Sequence, residues 1–145
     1  MDFLLGMNAK IYQGAAEADL ATLTEMGNVK DVTLTLEAGE ADITTRANGG
    51  WEATAPTLRK CTVEFQMVWK PGDTVFEAIK NAFLTSGTVA MAVLDQKVTI
   101  AGAQGPLGDY SITNFTRNEE LTEAIVADVT AKLAKFVEWH EVTGL

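Results

Sequence analysis

The sequence has one cysteine, one histidine and three prolines, and its charge has no positive excess. Each scarcity removes a class of function. Cys61 alone forms no intramolecular disulfide, and with His140 as the only histidine there is no Cys/His cluster at zinc-ligand spacing. With 20 acidic residues against 11 basic ones, the 145-residue chain carries a formal charge of −9. That excludes the usual nucleic-acid reader, which gathers positive charge where phosphates sit. No apolar run approaches the roughly 20 residues that span a bilayer, so no direct membrane insertion is expected. Residues 1–10 lack the basic start and long apolar stretch of a secretory signal, which predicts an intracellular site of synthesis.

What remains is a globular composition, 47% hydrophobic and 21% charged, at a length that builds one core. No Pro/Ser-rich linker or internal repeat divides the chain. Turn signals recur about every ten residues, a spacing that suits an all-β sandwich or barrel, here read as a single domain over 1–145. Asp31-Val-Thr-Leu-Thr-Leu-Glu37 and Glu40-Ala-Asp-Ile-Thr-Thr-Arg46 alternate around Ala38-Gly39, which predicts a β-hairpin. Its apolar face would hold Val32, Leu34, Leu36, Ala41 and Ile43. Its wet face would hold Thr33, Thr35, Asp42 and Thr44, with Arg46 across from Asp31.

Arg59 to Lys70 alternates in the same way, with Val63, Phe65, Met67 and Trp69 on one side and Thr62, Glu64 and Gln66 on the other. Pro71-Gly72 breaks that strand, Asp73 can cap the next N–H groups, and Phe76, Ile79 and Phe83 recur at helical spacing until Gly87. One flanking helix over 74–85, packed through those three residues, is therefore expected. Thr88–Leu94 reads as a buried strand, and Ala101–Gly108 as a loop from its Gly and Pro content. Tyr110–Arg117 and Ile125–Leu133 read as two further strands. The polar link Asn118–Glu123 fits either a hairpin tip or a short helical turn.

Little in the sequence carries chemistry. His140 has no nucleophile or ligand cluster near it in sequence and reads as a surface or partly packed residue. Cys61, despite Arg59 and Lys60 beside it, heads an alternating strand and reads as a small core residue. The glycine-rich stretch 102–108 lacks the Gly-Lys-Ser/Thr ending of a phosphate loop. Glu119, Glu120 and Glu123 sit on a polar link and read as a solvated tip, not as paired catalytic carboxylates. Trp51, in Asn48-Gly49-Gly50-Trp51, either packs on its own domain, the simpler reading, or meets a neighbouring chain. No catalytic residue, cofactor or metal site is expected. More unusual is the amount of alternating strand with a Thr- and charge-rich second face, continued by Asp128, Thr130 and Lys132. Such a face is either the solvated outside of a sandwich or the wall of an assembly lumen.

The run Asp109-Tyr-Ser-Ile-Thr-Asn-Phe-Thr-Arg-Asn-Glu-Glu-Leu121, with Ala127-Asp-Val-Thr-Ala-Lys132 after it, resembles the major tail tube proteins of long-tailed, siphovirus-type bacteriophages. Upstream, Val29-Lys-Asp-Val-Thr-Leu34, Asp42-x-Thr-x-Arg46, Gly50-Trp51, Pro56-Thr57 and Trp69 ahead of an amphipathic helix come in the same order. The likeness spans residues 28–133. It implies a tail-tube-type β-sandwich or barrel whose strands join those of neighbours into a ring-spanning lumen barrel. It also implies rings, usually hexameric, stacked into a hollow conduit for DNA delivery, in the virion tail of a particle made in a bacterial cytoplasm.

Carried onto this chain, the resemblance makes Thr33, Thr35, Asp42, Thr44, Asp128, Thr130 and Lys132 lumen-facing. The loop Ala47–Leu58, with Asn48, Gly49, Gly50, Trp51 and Pro56, would join subunits or successive rings. Segments 1–27 and 134–145 would serve as assembly arms. Partners would be further copies of the chain, with tape measure, tail tip and tail terminator proteins, while DNA transits an acidic bore without specific binding. The inner tube of a contractile tail or injection apparatus shares this architecture. From another class, a monomeric β-barrel carrier of a small apolar ligand would bury its apolar faces inward and stay alone.

Overall fold

The computed structural model describes residues 5, 6 and 9–143. Seven strands, β1 (Lys10–Ala15), β2 (Thr24–Glu25), β3 (Val29–Asp42), β4 (Thr54–Val68), β5 (Thr88–Leu94), β6 (Gln104–Asn118) and β7 (Val126–Glu141), form one antiparallel sheet in the order β2-β1-β5-β6-β7-β4-β3. The two edge strands are neighbours in sequence. The link between them ties both sides of the sheet, since the Met26 N–H donates to the Ile11 carbonyl at 2.9 Å and the Asn28 carbonyl accepts the Val68 N–H at 2.9 Å. The sheet therefore curls around one apolar interior.

That interior is built by alternation. Val63, Phe65 and Met67 of β4, Ala127, Val129 and Ala131 of β7, and Val89, Met91 and Val93 of β5 all face it. Helix α1 (Thr74–Thr85) closes on it, with its first turn capped by Asp73, whose carboxylate accepts the Phe76 N–H at 3.1 Å. Its last turn ends at Ser86 in the left-handed region, φ 57°, where the Gly87 N–H reaches the Ala82 carbonyl. The helix bounds match the periodicity, and Phe76 and Ile79 are fully buried. Phe83 is instead 41% exposed, stacked on Phe115 at 6.3 Å, while Val75 and Ala82 complete the buried stripe. Around β1, β5 and the start of β6 the other face is covered too, by Leu20, Leu23 and Val98 on Tyr12, Ala92, Leu94 and Leu107.

The reversal expected at 38–39, the Arg46–Asp31 pairing and the loops expected over 101–108 and 54–58 are corrected. The chain does not reverse at Ala38-Gly39: β3 runs on to Asp42, and Leu34 and Leu36 pair with Val63 and Cys61 of β4. Gly39 occupies a register shift, where a Cβ would come 2.5 Å from Thr57 Oγ1. Its small size serves a bulge, and the reversal falls at 43–53. Consequently Arg46 lies in that loop, past the opposite end of β3 from Asp31, which occupies its own bulge at φ 54°.

The stretch 101–108 is a loop only to Ala103, and β6 begins at Gln104. Its glycines mark close backbone approach, since a Cβ on Gly105 would collide with the Val93 carbonyl and one on Gly108 would lie 2.5 Å from the Lys135 carbonyl. Residues 54–58, including Pro56, belong to β4 and not to a loop. Of the expected arms, Lys10–Ala15 and Thr24–Glu25 are sheet strands and 134–141 continue β7 along β6; residues 1–4, 7, 8, 144 and 145 lie outside the described ones.

Candidate assembly surface

Strands β6, β7, β4 and β3 form a four-stranded unit with one face toward the core and one toward water. Registers align the wet face into rows. Thr35, Thr62, Lys132 and Ser111 lie abreast, then Thr33, Glu64, Thr130 and Asn114, then Lys30, Gln66, Asp128 and Thr116. Thr33, Thr35, Asp128, Thr130 and Lys132 are thus brought onto one face. Thr62, Glu64 and Gln66, on the polar side of β4 as alternation predicts, join them, and so do Lys30, Asn114 and Thr116; the strand order makes them one surface. Asp128 is the best-connected group there: its carboxylate accepts from Gln66 Nε2 at 3.0 Å and from Asn118 Nδ2 at 2.6 Å.

The charges of this face, with Glu37 and Lys60 at its upper end, balance as three acids and three lysines. The excess carboxylates of the chain lie elsewhere on the molecule. Asp42 and Thr44 stand apart from the rows, past the bulge. The Asp42 carboxylate accepts the Thr44 N–H at 2.9 Å, and the Thr44 side chain first and this backbone bond second hold the Asp42 pKa below the ordinary value. Thr44 Oγ1 accepts the Ala53 N–H at 2.8 Å and so closes the base of the loop.

Both lateral edges of the unit are open among the described residues. β3 pairs only with β4 along its length. β6 pairs with β5 only from Leu107 to Ser111, so Ile112–Asn118 has a partner on the β7 side alone. Open edges invite pairing unless something shields them. The four strands alternate in direction, so the open edge of β3 runs opposite to the open edge of β6. Copies sharing one orientation therefore extend the antiparallel ladder when set side by side.

At one end, past the Thr62–Lys132 pair, the β3–β4 hairpin runs on without β7 beside it and carries the loop 43–53 at its tip. Its loop holds Asn48, Gly49 and Gly50, the glycines at φ 63° and 87°, and Trp51 at 79% exposure. Trp51 is not packed on its own domain, contrary to the simpler reading. Pro56 pairs with Glu40 in this hairpin. Neither His140, half-buried with Nδ1 3.1 Å from Glu138 Oε1, nor Cys61 sits in a reactive array. Cys61 Sγ lies 3.5 Å from the Tyr110 hydroxyl in the core; burial first and Cys61 second push the Tyr110 pKa upward. Among the described residues no group of three or more His, Cys, Asp or Glu is placed to hold a metal ion, and no helix is long and apolar enough to cross a membrane.

No curated protein matches significantly. The tail of an empty gene transfer agent particle, refined with C6 symmetry, contains a chain with a TM-score of 0.73 at 16% identity, over 96% of this chain and 98% of that one. A chain in the virion of the native gene transfer agent particle gives 0.71 at 17% identity, over 94% and 100%. The SPP1 tail tube gives 0.73 at 12% identity, over 99% and 81%. At these identities the likeness establishes the fold. The family model described as phage tail tube protein matches residues 5–134, nearly the whole chain, and the chain belongs to that family.

Proposed function

We propose that the protein is a structural tail tube subunit whose copies join edge to edge into rings, the rings stacking into the hollow conduit through which DNA leaves the particle. The observation that carries this reading is the pair of open, oppositely directed edges on one four-stranded unit. Joining β3 of each copy to Ile112–Asn118 of the next satisfies both edges and, on closure, leaves none free. The C6 symmetry of the gene transfer agent tail supports six copies. Six four-stranded units make a 24-stranded barrel, which at ~4.8 Å between strands and a tilt of about 40° is roughly 45–50 Å across its backbone.

In this arrangement the wet face is the lumen wall, with Thr33, Thr35, Asp128, Thr130 and Lys132 in its rows. Helix α1 lies on the opposite side of the sheet. A hydroxyl- and amide-rich wall with balanced charge offers phosphates no continuous basic track, so DNA passes without a binding site. No catalysis is part of the role. The 43–53 loop, with Trp51 at its exposed end, reaches along the tube axis toward the adjacent ring. Tape measure, tail tip and tail terminator proteins are the expected partners inside the tube and at its two ends, in the virion tail.

The edge is tested with two single prolines. In a strand, successive residues point their N–H groups to opposite sides, so of Thr35→Pro and Leu36→Pro one removes an N–H facing β4 and the other an N–H facing outward. One variant should unfold more easily; the other should keep the monomer's melting temperature yet fail to form rings in electron micrographs. If both assemble normally, the β3 edge is not the joint.

A further inference from the structure

Beyond the pair Thr62 and Lys132, β4 and β7 part company. β4 continues with β3 alone, from Cys61 opposite Leu36 to Thr54 opposite Asp42, while β7 continues with β6 alone, from Leu133 opposite Tyr110 to Glu141 opposite Gln104. The fork between the two hairpins is a cleft of about 690 Å³. Its walls are mainly apolar, with Leu36, Cys61, Leu133, Phe136 and Trp139, and Arg59 and Lys60 at its margin. Leu36, Phe136 and Trp139 stand 55%, 56% and 46% exposed. An isolated soluble chain gains nothing from that apolar surface, and such a patch marks a contact.

The opposite end of the same two strands carries the matching shape. The turn between β6 and β7 is closed by the Glu123 N–H donating to the Glu120 carbonyl at 3.2 Å, and it holds Leu121 wholly in solvent at its tip. Glu119, Glu120 and Glu123 surround that leucine. Arg117 pairs with Glu119 at 3.3 Å, while Glu120 and Glu123 have no ion pair among the described residues. Neither do Arg59 and Lys60 at the cleft, although Glu37, also at its margin and in register with Lys60, offsets part of their charge.

We infer that the Glu119–Glu123 turn of one copy seats in the β3–β4/β6–β7 cleft of a second copy in the adjacent ring, with Leu121 among Leu36, Phe136 and Trp139 and its acids against Arg59 and Lys60. Knob and socket sit at opposite ends of the strand axis. A contact between them is heterologous and advances along that axis, so it generates an open stack and not a closed pair. The inference rests on the tube reading and adds which surfaces join ring to ring.

The test uses the purified full chain, with rings and tubes counted by negative-stain electron microscopy across a concentration series and fold checked by circular dichroism. Leu121→Asp, at a fully exposed position, should leave fold and rings intact and raise the concentration needed for tubes about tenfold or more. The double variant Glu120→Lys/Glu123→Lys should lose tubes, and adding Arg59→Glu/Lys60→Glu should restore them. Tubes forming at the wild-type concentration in Leu121→Asp and in the lysine double variant overturn the inference while leaving the tube reading intact, as does failure of the combined variant to recover. Wild-type protein that stays monomeric at every concentration fails the tube reading itself, and this contact with it. An apolar small molecule found bound to the purified monomer by native mass spectrometry assigns the cleft to a ligand and overturns the docking.

Discussion

Replacing Phe76 with alanine tests how α1 is held behind the proposed lumen sheet. Phe76 is 1% exposed; its ring meets Trp69 edge-on at 4.8 Å and Phe115 at 6.2 Å, and Lys80 lies 5.9 Å from its centroid. Truncation removes the transfer energy of a whole aromatic side chain and leaves a cavity between helix and strand, at a cost of about 4 kcal/mol. At roughly 2–4 °C per kcal/mol for a chain near this size, the melting temperature should fall by about 8–16 °C. Phe83, on the same helix face but 41% exposed, should lose about 1–2 kcal/mol and correspondingly less temperature. The assay is thermal unfolding by circular dichroism at dilution low enough to keep the chain monomeric, because assembly would add its own stabilisation. Equal shifts for the two variants, or a drop under about 4 °C for Phe76→Ala, would refute the account of the helix as packed through Phe76.

Two other outcomes rest on named contacts. The Tyr110 pKa is raised above its ordinary value of 10.0, so the folded state holds that proton more tightly than the unfolded chain does. The associated stability is fully present below about pH 10 and is lost as pH rises beyond it; urea unfolding from about pH 8 to 11 should show the decline, and Tyr110→Phe should flatten it. Cysteines placed at Thr35 and Thr130 should react with a bulky thiol reagent in free subunits and be protected in tubes, with buried Cys61 silent in both; equal labelling would remove those residues from the lumen.

The helix was legible because three independent local signals coincide: Asp73 before it, Phe76 and Ile79 at helical spacing, and Gly87 after it. The facing of β3, β4 and β7 was legible as well, since period two survives wherever one side is buried; Thr33, Thr35, Asp128, Thr130 and Lys132 share a face as their parity predicts. The misreadings are places where one residue type serves two purposes. Ala38-Gly39 reads as a turn and is a bulge, and Gly105 and Gly108 read as loop and are close backbone contacts. The second half of β7 lacks alternation, with Phe136 and Val137 adjacent, and register shifts at Leu107/Gly108 and Asp109/Tyr110 alter its pairing with β6. Glu64, Gln66 and Asn114 join the wet face only once β7 is known to lie between β4 and β6, a long-range fact that no local window holds.

The central claim is that four strands of every copy continue into those of the next to wall a bore. A helical cryo-EM reconstruction of tubes grown from the purified protein tests it most directly. The account predicts β3 of each subunit in antiparallel pairing with Ile112–Asn118 of its neighbour, the Thr33–Glu64–Thr130–Asn114 row on the inner surface, and α1 outside. A tube whose bore is lined by α1 or by the β1–β5 side, or whose subunits touch without strand pairing, would contradict it.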